Sequence, residues 1–406
     1  MDSAPTSDSQ PADRASAWSV FLAFLRLGLT SFGGPVAHLG YFRTEFVERR
    51  RWLDDRSFLD VVALCQFLPG PASSQVGIAI GLTRAGWAGS LAAWLGFTMP
   101  SAIALIAFAY GIEHSAALAQ SGAVHGLKVV AVAVVAQAVW GMAKSLCPDR
   151  PRAGMAVVAA LMTLALPGAW GQVTAILLAA VAGLWLLRMG AEDGASQQPV
   201  RISRRAGALA LLVFALLLVL LPALVAASKS PLLRLVEGFY RTGALVFGGG
   251  HVVLPLLQAT VVPTGAVSNA DFVAGYGAAQ AVPGPLFTFA AYLGTVIHGP
   301  WPAWVGGLVF LVAIFVPAWL LVVGALPFWD ALRRRPRVRS AMAGVNAGVV
   351  GILVSALYDP VWTTAIQTRA DFGLALAAFA LLVVARVSPF VVVVLTAAGG
   401  WLLAPA

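Results

Sequence analysis

The chain has 406 residues, of which 60% are hydrophobic and 11% charged, with a formal net charge of +9. Soluble domains carry roughly 25% charged residues, whereas the mean hydropathy here is +0.86. So few charges do not cover a soluble surface, which excludes a soluble enzyme, a disordered chain and a disulfide scaffold. The pI near 10.2 reads as the Lys/Arg excess of cytoplasmic loops, not as a nucleic-acid patch. Cys65 and Cys147 sit in no metal-ligand spacing and read as inert apolar thiols.

The first 16 residues are polar, with Asp2, Asp8 and Asp13 beside Arg14. They lack the basic start of a signal peptide, so the first apolar stretch is expected to be retained. Thirteen apolar segments follow. They span 17–42, 58–82, 88–112, 123–145, 153–167, 170–188 and 206–227. The second group is 232–262, 272–294, 301–327, 341–358, 371–386 and 389–403. Residues 189–205 read as a flexible linker and 330–339 as a compact basic loop. Four segments are broken: at Ser31-Phe32-Gly33-Gly34-Pro35, Pro69-Gly70-Pro71, Gly248-Gly249-Gly250 and Pro283-Gly284-Pro285. Pro-Gly-Pro removes backbone donors and adds a permissive turn, so no continuous helix passes through it. Arms of about 11 residues on either side make roughly 16 Å of helix, half the hydrocarbon core.

The chain is a tandem duplication. Arg26-x-Gly28-x-x-x-Phe32-Gly33-Gly34 recurs as Arg241-x-Gly243-x-x-x-Phe247-Gly248-Gly249. Phe58 and Gln66-x-x-Pro69-Gly70-Pro71 recur as Phe272 and Gln280-x-x-Pro283-Gly284-Pro285. Gly81, Gly86 and Phe97 match Gly294, Gly299 and Phe310, and Gly126-Leu127-Lys128 matches Gly344-Val345-Asn346. The expected organisation is a cytoplasmic tail (1–16), an N-terminal repeat (17–188), a linker with an extra helix 206–227 (189–231), and a C-terminal repeat (232–406). The single extra crossing inverts the second repeat relative to the first. The fold class is therefore an all-α polytopic membrane protein with two inverted-topology repeats and broken or re-entrant helices, a transporter design that binds substrate between the repeats.

Charge separates two topologies. If the four broken segments are hairpins that enter and leave on one side, nine segments cross, and 20 of the 26 basic residues share one face. Lys229, Arg234 and Arg369 fall on the other, and Arg26, Lys128 and Arg241 lie at membrane depth. Full crossing of all thirteen would put the 43–56 arginine cluster outside. The positive-inside rule favours the hairpins, with the N-terminus cytoplasmic and the C-terminus outside.

Intramembrane charge marks a pathway or a fixed partner. Arg26 and Arg241 are read as anion contacts, because guanidinium is planar and always charged; Glu237, four residues before Arg241, offers a purely structural pairing instead. Lys128 reads either as an anion contact or as a residue snorkelling to the interface, with Asn346 as its counterpart. The glycines at the breaks (Gly33, Gly34, Gly70, Gly248, Gly249 and Gly284) precede new helices whose free N–H groups attract anions, or else they only permit tight packing. Ser73, Ser74 and Thr288 offer hydroxyls just past the turns, and Gln66 and Gln280 either line the site or satisfy freed backbone groups. Glu237, Asp60, His38 and His251 are the proton-coupling candidates, Asp60 having Arg56 as an alternative ion-pair partner. HExxH, P-loop and GxSxG motifs and metal-spaced Cys/His sets are absent, so neither catalysis, a cofactor nor a metal is expected.

Several of these residues resemble the chromate ion transporter family, in its long-chain, two-domain form. They are Ser31-Phe32-Gly33-Gly34-Pro35, the run from Phe42 through the basic cluster to Trp52-Leu53, Gln66-x-x-Pro69-Gly70-Pro71, Phe247-Gly248-Gly249-Gly250-His251 and Gln280-x-x-Pro283-Gly284-Pro285. The resemblance covers about 17–403. It implies an inner-membrane carrier that exports chromate and confers resistance, energised by the membrane potential or a proton gradient. Sulfate uptake is the alternative within transport, since the two anions share shape and charge; an anion channel or membrane scaffold is the alternative of another class. A homodimer is compatible with the sequence. The halves differ at Pro35 against Gly250, at Lys128 against Asn346, and in an arginine-free 263–271 connector opposite the arginine-rich 43–56.

Overall fold

The structure is a computed structural model and describes residues 16–115, 117, 120–188, 190 and 202–403. Arg14 with the rest of the N-terminal tail before Ser16, and Arg201 with most of the 189–205 linker, lie outside the described residues. Every described element is helical.

The first repeat opens with α1 (Ala17–Thr30) and α2 (Gly34–Arg43), the latter running on into a π turn over Thr44–Arg49. Next come α3 (Asp55–Phe67) and α4 (Ala72–His114), α4 being folded back on itself at Ala85 and Gly86. Then follow α5 (Gly122–Leu146), α6 (Arg150–Ala165) and α7 (Ala169–Leu186), and α8 (Arg204–Ser228) stands between the repeats. The second repeat has α9 (Pro231–Leu245), a short turn and α10 (Val253–Val261), then α11 (Asn269–Gln280), a short turn and α12 (Phe289–Val296). It closes with α13 (Ala303–Ala325), α14 (Pro336–Ala356), α15 (Arg369–Val383) and α16 (Pro389–Leu403). Side-chain caps fix many starts: Ser16, Asp54, Ser203, Ser230 and Ser268 each accept from the third residue onward.

All four broken segments fold back as hairpins. In the first, Phe24 of α1 packs on Phe42 and Phe46 beyond the break, at 5.4 and 4.8 Å between ring centroids. In the second, Arg84 reaches the carbonyl of Trp52, just before α3, at 3.5 Å. In the third, Gly238 of α9 lies flat on Thr260 of α10. In the fourth, the Tyr292 hydroxyl of α12 donates to the Asp271 carbonyl of α11 at 3.0 Å. The first arms run 12 to 15 residues, longer than the sequence suggested. At about 1.5 Å per residue they reach roughly 18–22 Å, past the middle of a core about 30 Å thick. Tips entering from opposite faces therefore overlap.

Among the described residues six helices are long and apolar enough to cross a membrane, counting α4 as one. The expected nine full crossings are thus only partly matched: α6, α15 and α16 have 16, 15 and 15 residues. Pro167 just past α6 and Pro389 opening α16 set two of these limits.

The repeats interlock. Gly126 of α5 packs against the Thr396 carbonyl of α16, and its counterpart Gly344 of α14 packs against the Ala179 carbonyl of α7. Gly400 faces Gly126 as Gly183 faces Gly344. The fourth crossing of each repeat thus packs on the last helices of the other, as a twofold relation requires. Small residues allow this close backbone approach where lipid offers no hydrophobic driving force. Polar contacts respect the two faces. Arg339 donates to the Gly190 carbonyl on the arginine-rich side. His298 meets Glu113 at 2.8 Å and His125 meets Asp371 at 2.7 Å on the opposite side.

On the arginine-rich face, Glu45 is clasped by Arg50 and Arg49. Burial pushes its carboxyl up, but the hydrogen bonds and charge of Arg50 and Arg49 outweigh burial and hold it below the usual carboxylate range. The stabilisation is present at neutral pH and is lost as pH falls through that lowered value. Gly126→Ala and Gly344→Ala should each lower the unfolding midpoint in detergent, by roughly 1–3 kcal/mol of overpacking. Gly373→Ala, with nothing within 4 Å of the added carbon, should leave it unchanged. Equal midpoints for all three would contradict the interlocked packing.

Candidate functional site

The four breaks meet. The Gly284 amide donates to the Ser31 carbonyl at 2.9 Å, and the Gly70 amide donates to the Val246 carbonyl at 2.6 Å. Gly70 matches Gly284 and Ser31 matches Val246 in the repeat, so the two bonds are twofold mates that tie each repeat's second hairpin to the other's first. Both glycines need to be glycine: φ is +123° at Gly70 and +99° at Gly284. A Cβ would also lie 2.8 Å from Gln75 Nε2 or 2.9 Å from Ser101 Oγ.

At this crossing lies a cavity of about 710 Å³. From the tips it follows α5 from Val134 to Ser145 and Leu146 and reaches Pro389 at the start of α16. These are the ends nearest the arginine-rich face, so the cavity opens that way. Of the residues expected to bind anion, Gly33, Gly34, Gln66, Gly70, Gly248, Gly249, Gln280, Gly284 and Asn346 line it, as does His251 from the coupling candidates. Asn346 sits against the third tip, its Oδ1 being 3.7 Å from where a Gly248 Cβ would stand.

The other candidates lie off the cavity. Arg26 is exposed on α1, and Arg241 is 3.4 Å from Glu237, the structural pairing. Lys128 is half-buried on α5, more than two turns from Gln137 and toward the opposite face. Ser73 and Thr288 point into their own hairpins: Ser73 Oγ is 3.2 Å from His38 Nδ1, and Thr288 donates to the Pro285 carbonyl at 2.8 Å. Ser74 is buried beside Ser73. His38 Nε2 meets the Ser31 carbonyl at 3.2 Å, and Asp60 is half-buried in the outer arm of the second hairpin. Arginine and lysine carry long apolar stems, which lets their charges leave the interior.

Among the described residues the cavity lining holds no Lys, Arg, Asp or Glu. Its electrostatics come from the backbone. Four helices begin at the cavity: α2 at Gly34, α4 at Ala72, and the turns into α10 and α12 at Gly250 and Leu286. A helix start carries roughly half a positive charge and free N–H donors. The arms arriving at the cavity end in carbonyls, of which Ser31 and Val246 are already engaged. Gln66, Gln137, Gln280 and Asn346 add neutral amide groups. His251 is held by Tyr276, Nδ1 to hydroxyl 2.8 Å. Helix starts and amides of this kind are groups able to solvate an anion with dipoles. No group of His, Cys, Asp and Glu able to hold a metal occurs among the described residues.

Gln137 was missed by the sequence reading, which weighed charge; its signal was a lone amide in an apolar stretch. Replacing Gln137 or Gln280 by Leu should weaken equilibrium binding of an oxyanion dianion about ten-fold or more, the cost of one hydrogen bond to a charged group. Unchanged affinity in both would remove the amides from the site.

The family model described as chromate transporter matches residues 18–184 and 233–401. A chromate transport protein of Pseudomonas aeruginosa is 28% identical over 397 residues, 95% of this chain and 92% of that protein. One from Cupriavidus metallidurans is 26% identical, covering 86% of each chain, and a probable chromate transport protein of Synechococcus elongatus is 25% identical over 82% of each. No solved structure matches the chain. The two-part match falls on the two interlocked repeats, and the chain belongs to the chromate transporter family.

Proposed function

We propose that the chain is a secondary transporter that exports chromate across the bacterial plasma membrane, binding it between the inverted repeats. The observation that carries this reading is the cavity at the four hairpin tips, lined by helix starts and amides and open toward the arginine-rich face. A tetrahedral dianion meets N–H donors from both repeats there, and the inversion of the repeats supplies a route to either face. We read the arginine-rich face as the cytoplasmic one, because the hairpin topology assigns 20 of the 26 basic residues of the sequence to it. The C-terminus is then periplasmic. The bound anion is held by half-helix starts and amides; Arg26 and Arg241 stand apart from it in this state. His251 is the histidine at the cavity and Glu237 the intramembrane acid, and a proton-coupled cycle would draw on these two.

The test is chromate uptake into everted vesicles, with sulfate as a parallel substrate. Gln66→Leu with Gln280→Leu should abolish most of the flux, and Arg26→Ala should retain most of it at equal expression. Loss of flux in Arg26→Ala with normal flux in the amide variant would contradict the site. Flux of sulfate without chromate would contradict the substrate, and ion conductance without gradient-driven accumulation would make the protein a channel. For orientation, Arg50→Cys in a chain with Cys65 and Cys147 replaced should react with an impermeant maleimide in everted vesicles and not in intact cells. The reverse pattern would invert the assignment.

A further inference from the structure

The cavity breaks the twofold symmetry of the chain. The register of Gly126 with Gly344, Gly33 with Gly248 and Gly183 with Gly400 pairs Gln137 with Ser355, Leu39 with Leu254 and Pro389 with Gln172. The first member of each pair lines the open cavity. The second is buried: Ser355 at 8% exposure, Leu254 at 0% and Gln172 at 7%. The packing differs in the same sense. Helix α10 rests on α14 and α7, whereas its counterpart α2 packs less on both α5 and α16 among the described residues. One half of a symmetric pathway is open and its mate is shut.

The shut half has a polar clasp. The Gln172 amide, at the start of α7, donates to the Pro255 carbonyl of α10 at 2.9 Å, while its Oε1 is buried without a partner among the described residues. Pro255 lies in the first turn of α10, and its carbonyl is the acceptor that Gln172 takes. One bond made and one acceptor left dry give a clasp weak enough to open. The mates on the other side are Gly40 and Pro389, and a proline side chain donates nothing. Closing the cytoplasmic half therefore gains no equivalent bond.

We infer that Gln172 is the latch of the outer gate, that transport requires its release from Pro255, and that its lack of a mate sets the resting state open toward the arginine-rich face. This rests on the transport reading of the cavity, but its readout does not need flux. The reporter is Ser355→Cys in a chain with Cys65 and Cys147 replaced by Ala, labelled by an impermeant maleimide from the face opposite the arginines. Gln172→Leu should raise the labelling rate about three- to ten-fold, the loss of one neutral hydrogen bond. Labelling of a separate Ser145→Cys reporter from the arginine-rich face should fall. Pro389→Gln, which supplies the missing donor on the other side, should shift both reporters in the same directions.

Unchanged Ser355→Cys labelling in an assembled Gln172→Leu protein overturns the latch. If that variant fails to assemble, Pro389→Gln decides by the same readout, and unchanged labelling again overturns it. Failure of chromate flux with the predicted labelling would count against the substrate and leave the gate standing. Intact flux with unaltered labelling would count against the gate alone.

Discussion

Backbone N–H and C=O groups at membrane depth must find partners, because hydrocarbon offers none. Four helices here stop inside that depth, which leaves eight helix ends to satisfy. The structure meets this demand by crossing the repeats: Gly284 donates to Ser31 and Gly70 to Val246. Neither repeat could satisfy its own breaks in this way, since each bond joins the second hairpin of one to the first of the other. The duplication, its inversion and the exchange of α5 and α14 between repeats all follow from bringing these tips together. A side chain at Gly70 or Gly284 would fail on both conformation and space.

The same arrangement sets the electrostatics. Two carbonyls of the arriving arms, Ser31 and Val246, are engaged in holding the tips, and the departing helices present their positive ends to the cavity. A site made of dipoles and amides pays no cost for burying a fixed charge when it is empty. On the proposed reading such a site would hold a dianion less tightly than a paired guanidinium, which suits a carrier that has to release its cargo. The charged side chains are kept for other tasks. Arg241 neutralises Glu237, and the Glu45 cluster ties down the arginine-rich connector.

Much of this is legible in the sequence. The paired Gly-Gly and Pro-Gly-Pro breaks located the cavity lining, because only a few residue types permit such turns. The Lys/Arg distribution distinguished hairpins from crossings, and the structure's contacts across Phe24–Phe42 and Asp271–Tyr292 agree with hairpins. Two things were not legible. Where Arg26 points depends on the rotation of α1, and the tight seat of Gly28 on Gly96 turns that arginine outward. Gln137 lines the cavity because α5 of one repeat passes the third tip of the other, so its lone amide in an apolar stretch acquires its place only from tertiary structure. The bounds of α6, α15 and α16 fall within three residues of the apolar segments 153–167, 371–386 and 389–403.

The central claim is that the anion sits among the hairpin tips and not beside an arginine. Anomalous diffraction from crystals grown with selenate, a heavy dianion of the same shape, tests it most directly. The account predicts a selenium peak in the cavity, within hydrogen-bonding distance of the Gly33–Gly34 or Gly248–Gly249 amides and of Gln280. A peak beside Arg26 or Arg241, with the cavity empty, would contradict it.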